Sequence, residues 1–129
     1  MSYGMTVTLD LPFAESVQKV RAALQEQGFG VLTEIDVTGT LKSKLGEQME
    51  DYLILGACNP PLAHRALGVD RSIGLLLPCN VVVRGTDSGT LVEIADPAMM
   101  VTVAGDAGLE PVAREARQRL DAVLAALKG

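Results

Sequence analysis

Segments with the apolar spacing of strands and of helices alternate along the chain. Residues 5–10 alternate apolar and polar side chains, as in a half-buried strand. Pro12 suits the first turn of a helix, and Gly28 is placed to end it. We predict further strands over residues 30–37, 51–57, 73–84 and 90–94, and further helices over residues 38–46, from Pro60 and from Pro111. The sequence therefore predicts an α+β protein with a single domain over residues 1–129.

For two of the predicted strands, the sequence also predicts an interruption or a common face. The strand over residues 73–84 should be interrupted at Pro78, because a proline cannot donate to a strand ladder and is confined to edges and bulges. The strand over residues 30–37 should present one face, made of Val31, Thr33, Ile35 and Val37.

Charge and aromatic content bear on the kind of partner. The chain has 11 basic and 16 acidic residues, a net charge of −5 that repels phosphate backbones. Aromatic residues make up 3% of the chain, too few for a platform on which bases stack. We therefore expect no nucleic-acid partner.

The apolar residues are spread in a way that does not predict a membrane partner. The longest apolar stretch, residues 73–83, is interrupted and too short to cross a bilayer. Residues 1–11 lack the features of a secretory signal. We therefore expect a cytoplasmic location with both cysteines reduced. The mean hydropathy of +0.27 is high for a small monomer and predicts a homodimer closed by apolar surface.

The two cysteines are the best candidates for chemistry, because motifs for nucleotide phosphates, the serine-nucleophile elbow and the H-E-x-x-H zinc site are all missing. Cys58 directly precedes the helix expected to be capped by Asn59, and free N–H groups there would favour its thiolate. We therefore predict Cys58 to be the more reactive thiol. Cys79 follows Pro78, where the predicted strand breaks.

Several neighbours complete the candidate site. Asn59 and Asn80 each follow a cysteine and offer donors and acceptors, and Asp96 could act as a base if it lay near a thiol. We predict that Cys58 and Cys79 approach one another. With His64 they would supply three ligands for a soft metal such as Cu(I) or Zn(II). The alternative is that both cysteines are buried packing residues and that His64 lies on the surface.

Long blocks of the sequence resemble a known family. Residues 52–83 (YLILGACNPPLAHRALGVDRSIGLLLPCNVVV) and residues 28–46 (GFGVLTEIDVTGTLKSKLG) are similar to the domain of unknown function 302 family of bacteria and archaea, as are Asp96-Pro97 and Met100. The resemblance covers nearly the whole chain. The motif positions of the family correspond here to Lys44, Cys58, Asn59, Pro60, Pro78, Cys79, Asn80, Asp96 and Pro97.

The resemblance implies a fold more than an activity. It implies a two-layer α+β domain with helices on one face of a mainly antiparallel sheet, a topology like that of the TATA-binding protein, and a homodimer. The similarity of topology carries no inference of DNA binding. It names no cofactor and no reaction, although some relatives occur in sulfur or redox contexts.

Three functions remain open from the sequence. The first is a module that binds a small ligand or a soft metal near the two cysteines, with a possible link to sulfur or redox metabolism. The second is a thiol-dependent enzyme or sulfur carrier. The third is a structural or interaction domain without a catalytic site.

Overall fold

The computed structural model describes residues 3–129 and contains one five-stranded sheet with the strand order β1-β5-β4-β3-β2. All neighbouring strands are antiparallel. The strands are β1 (Gly4–Leu9), β2 (Gly30–Asp36), β3 (Tyr52–Cys58), β4 (Cys79–Thr86) and β5 (Gly89–Ala95). The α-helices are α1 (Phe13–Glu26), α2 (Val37–Leu45), α3 (Pro60–Val69), α4 (Ala98–Ala104) and α5 (Glu110–Lys128). Two 3₁₀ helices, Arg71–Leu76 and Ala107–Leu109, complete the fold.

Helices α1 and α5 cover one face of the sheet, and the main core lies between the sheet and these two helices. Alternate strand residues such as Leu55, Val81 and Val92 are fully buried against Leu24 of α1 and Leu120 of α5. Burial of each such side chain contributes about 1.5–3 kcal/mol relative to exposure. The predicted α+β class, with helices packed on an antiparallel sheet, is confirmed.

The residues predicted to begin and end helices lie at the observed boundaries of α1 and α3. Pro12 precedes α1, and Gly28 lies just beyond its end with a φ of 82°, a conformation that glycine adopts without a steric penalty. Asn59 caps α3, and Pro60 is its first residue. These signals predicted the helix ends correctly, because the first N–H groups and last C=O groups of a helix lack partners within it. Only a few residue types suit such positions.

The prediction of a strand over residues 73–84 is wrong in its first half. Residues Arg71–Leu76 form a 3₁₀ helix, and β4 begins only at Cys79. The carboxylate of Asp70 accepts from the N–H of Ser72 at 3.0 Å and starts the turn. Pro78 has no N–H to give to a ladder, so strand pairing starts after it.

The predicted single face of residues 30–37 is also wrong. An irregularity between Val31 and Thr33 shifts the register, so Val31 packs on the core whereas Thr33 and Ile35 pair with residues of β3 that face away from the helices. Val37 belongs to α2 and not to the strand. One inserted residue is enough, because side chains alternate between the faces of a strand.

Residues 98–104 form α4, a helix that was not predicted. Asp96 precedes it and accepts from the N–H of Ala98 at 3.0 Å, and Gly105 ends it with a φ of 67°. None of its residues is buried. Within residues 3–129, no helix is both long enough and apolar enough to cross a bilayer.

Candidate functional site

A cavity of about 330 Å³ opens at the end of the sheet where β3 ends and β4 begins. It lies between that sheet end, α3, the 3₁₀ helix Arg71–Leu76, α4 and α5. Most of its wall is apolar, with contributions from Phe29, Leu62, Ala63, Ala66, Leu75, Leu76, Leu77, Met99, Met100, Val103, Val112, Ala116 and Leu120. Its size and apolar wall are those of a small-molecule site.

All five residues of the candidate ligand or thiol site border this cavity. Cys58 and Asn59 border it from the end of β3, Cys79 and Asn80 from the start of β4, and Asp96 from the end of β5. Antiparallel pairing explains the convergence, because the last residues of β3 and β5 lie beside the first residues of β4.

The two thiols do not form the predicted pair, and that prediction is wrong. Cys79 lies opposite Ala57 in the β3–β4 ladder, so Cys58 is offset from it by one position. Successive side chains of a strand point to opposite faces, so Cys79 packs against the core whereas Cys58 alternates to the other side. Both border the cavity because it surrounds the end of the sheet.

Cys79 is held as a neutral thiol. Its Sγ lies 3.8 Å from the carbonyl oxygen of Ala95, to which it can donate, and the side chain packs on the core. Burial raises the pKa of the Cys79 thiol from 9.0 to about 11, because an apolar environment penalises the thiolate. At neutral pH this group is therefore a weak donor and a poor nucleophile.

The N-terminus of α3 has no free donor for the thiolate predicted at Cys58. Pro60 and Pro61 carry no N–H group. The N–H of Leu62 donates to Asn59 Oδ1 at 3.3 Å, and the N–H of Ala63 donates to the carbonyl oxygen of Asn59 at 2.9 Å. The donors that the predicted reactivity of Cys58 required are therefore absent or already occupied.

Asn59 is fixed on both sides of its amide. Its Oδ1 caps α3, and its Nδ2 donates to the carbonyl oxygen of Gln27 at 3.4 Å. The residue is 7% exposed, so its amide is a built part of the cavity wall and not a mobile surface group. Gly28 leaves room for it, since a Cβ there would lie 3.0 Å from Asn59 Nδ2.

Asp96 is engaged by a cation and not by a thiol. Its Oδ2 accepts from Arg117 Nη1 of α5 at 2.9 Å, and its Oδ1 accepts from the N–H of Ala98. With both oxygens occupied, Asp96 has a structural role at the start of α4. The position suits it poorly to act as a general base.

The predicted metal ligands are not brought together. His64 lies on α3 as an exposed side chain and does not border the cavity. In residues 3–129, no three His, Cys, Asp or Glu side chains converge on a point where a metal ion could sit. A soft-metal site made of Cys58, Cys79 and His64 within one chain therefore has no geometric support.

The sequence did not reveal the apolar wall of the cavity. Met99, Met100 and Val103 reach it because residues 98–104 are helical, and Leu75 and Leu76 reach it because Arg71–Leu76 is a 3₁₀ helix. The sequence predicted a strand at residues 73–76 and no element at residues 98–104. The available signal was Asp96-Pro97, a capping side chain followed by a proline that suits a helix start.

The comparisons with known proteins agree with this architecture. The family model described as domain of unknown function DUF302 matches residues 5–127. A crystal structure of an uncharacterized conserved DUF302 protein from Bacillus stearothermophilus is similar, with a TM-score of 0.90, 30% sequence identity and 98% coverage of each chain. No curated protein sequence matches significantly. The chain belongs to the DUF302 family.

Proposed function

We propose that this chain binds a small, mainly apolar, uncharged molecule in the cavity at the end of the sheet. The observation that carries the proposal is the mainly apolar wall with a few polar groups, among them the fixed amide of Asn59. Binding sites for small molecules combine these two features, because apolar contact supplies affinity and a few hydrogen bonds set orientation.

The polar groups of the wall favour an uncharged ligand. Asp96 is the one acidic or basic residue among those that border the cavity, and Arg117 already neutralises it. The remaining polar side chains are the amides of Asn59 and Asn80 and the two thiols. A charged ligand would lose its hydration without gaining a counter-charge, which is costly in an apolar site.

The same geometry argues against the thiol enzyme or sulfur carrier. Cys79 is protonated at neutral pH, and the α3 terminus offers Cys58 no free donor. A nucleophilic cysteine requires a nearby base or cation, and Asp96 is bound to Arg117. A binding module needs neither an activated thiol nor a base beside it, so it fits this site better than a thiol enzyme does. The proposal keeps the predicted homodimer, in which each copy has its own cavity.

A fluorescent probe tests the proposal directly. N-phenyl-1-naphthylamine is small, apolar and uncharged, and its emission rises in an apolar site. We expect saturable binding to the wild-type chain with micromolar affinity. Ala63→Trp, on α3 at the cavity wall, should fill the space and weaken binding at least about tenfold, or 1.4 kcal/mol.

Ala22→Trp is the matched control, since Ala22 is exposed on α1 away from the cavity. It should bind the probe as the wild type does. Equal binding by all three chains would place the probe elsewhere and contradict the proposal. A wild type that does not bind at all would favour the structural or interaction domain.

A further inference from the structure

The face of the sheet opposite α1 and α5 carries a row of apolar side chains among polar ones. Ile54 of β3, Val82 of β4 and Leu91 of β5 alternate with core residues and therefore point away from the helices. An antiparallel sheet with one solvated face usually presents polar residues there. Thr6 and Thr8 of β1 follow that rule, as do most outward residues of β4, whereas Ile54, Val82 and Leu91 do not.

The strand register joins these side chains into one patch. Ile35 pairs with Ile54, and Ile54 pairs with Val82, so three apolar residues form a row across β2, β3 and β4. Leu91 lies opposite Arg84, one diagonal step from that row. We call Ile35, Tyr52, Ile54, Val82 and Leu91 the outer band. All five keep part of their surface exposed, and Ile35 is 50% exposed.

The charges on this face suit a second copy of the same chain. Arg84 and Glu93 point outward beside the outer band, and Arg84 Nε lies 3.1 Å from Glu93 Oε1. The face carries one charge of each sign, although the whole chain has a net charge of −5. Two copies can therefore approach through it without the repulsion that acts between the rest of their surfaces.

The face is also large enough. Its five strands, spaced about 4.8 Å apart and about six residues long at 3.4 Å per residue, cover about 500 Å². Two such flat faces supply about 1,000 Å², the lower limit for a specific interface, and the uneven surface of the side chains adds to that area.

We propose that the outer band is the homodimer surface, with two copies packed face to face and Arg84 of each copy directed toward Glu93 of the other. The partner is a second copy of this chain. The outer band gives the proposed homodimer its interface, so it rests on that part of the proposed function and not on ligand binding in the cavity.

Charge reversal tests this surface by light scattering at micromolar concentration. The wild type should have twice the chain mass of 13.6 kDa. Arg84→Glu leaves two negative groups on the face and Glu93→Arg leaves two positive groups, so each variant alone should be monomeric, with dimer affinity lowered at least about tenfold. An equimolar mixture of the two variants should return to the dimer mass, because the faces are again complementary.

Two further variants keep the test decisive. Ile35→Glu changes a half-exposed residue on an edge strand, so it should fold and still weaken the dimer. Leu75→Asp changes an 87% exposed leucine at the cavity rim and should leave the dimer intact. Circular dichroism confirms folding of each variant.

Each outcome is distinct. A wild type of 13.6 kDa overturns the homodimer and this surface together, while probe binding still reports on the cavity. A dimer that survives both charge reversals and Ile35→Glu overturns the outer band alone. A dimer lost in Leu75→Asp moves the interface to the cavity rim and overturns the outer band.

Discussion

Arg117 on α5 donates from Nη1 to Asp96 Oδ2 at 2.9 Å, while the second carboxylate oxygen of Asp96 holds the N–H of Ala98. One carboxylate thus joins the end of β5, the start of α4 and the middle of α5. A hydrogen bond to Asp121 and the nearby charge of Asp96 raise the pKa of Arg117, so the cation persists at any relevant pH. This link fixes the helix that carries Met99, Met100 and Val103 over the cavity.

Two substitutions of Asp96 should separate the stability contribution of its hydrogen bond to Ala98 from that of its ion pair with Arg117. Asp96→Ala removes the acceptor for Ala98 and the ion pair, and we expect the free energy of unfolding to fall by about 1–2 kcal/mol. Asp96→Asn keeps an oxygen for Ala98 and should lose less, since partly exposed ion pairs contribute about 0–1 kcal/mol. Urea denaturation measures both. Equal losses for the two variants would show that the cap contributes nothing.

Gly56 should not tolerate a side chain. A Cβ there would collide with Thr33 Oγ1 and lie 2.9 Å from Pro78 Cγ. We expect Gly56→Ala to lower the free energy of unfolding by about 1–3 kcal/mol, the usual range for overpacking. Gly30→Ala, in the same ladder with nothing within 4 Å, is the control and should change stability little. Thermal denaturation compares the two, and similar midpoints would contradict the packing described here.

The ion pair between α3 and α5 should be lost in acid. The hydrogen bond and charge of Arg65, aided by Arg119, hold the pKa of Glu115 below its ordinary value of 4.5. A carboxyl with a lowered folded-state pKa stabilises the fold above its unfolded pKa and stops doing so as the pH falls through the folded value. Arg65→Gln should therefore raise the pKa of Glu115 toward 4.5. A ¹³C carboxyl titration measures it, and an unchanged curve would rule out the assigned cause.

The sequence was informative where a local signal has one structural solution. The capping amide at Asn59 followed by Pro60 predicted α3, and the five residues named as a candidate site all border one cavity. It misled where the outcome depended on tertiary contacts. Alternation alone could not show the irregularity after Val31, and an apolar run could not show that Arg71–Leu76 is a 3₁₀ helix. Cysteine spacing could not reveal the one-position offset between Cys58 and Cys79.

The Cys79 thiol should titrate far above neutrality. Its pKa is raised by burial to about 11, so in Cys58→Ser the alkylation rate with iodoacetamide should rise about tenfold per pH unit from neutral pH toward that value. The unfolded chain loses this proton first, near 9.0, so stability should fall between 9.0 and about 11. Cys79→Ala should lack that loss. Rapid alkylation at pH 7 would instead restore the thiol enzyme as a candidate.

The methionine methyl groups give the most direct test of the cavity as a binding site. Of the five methionines, Met99 and Met100 border the cavity, whereas Met5 lies in the core and Met49 lies between α2 and β3. ¹³C-methyl spectra should be recorded with and without saturating N-phenyl-1-naphthylamine. We predict that the resonances of Met99 and Met100 shift while those of Met5 and Met49 stay in place. Unmoved Met99 and Met100 resonances with bound probe would contradict ligand binding in this cavity.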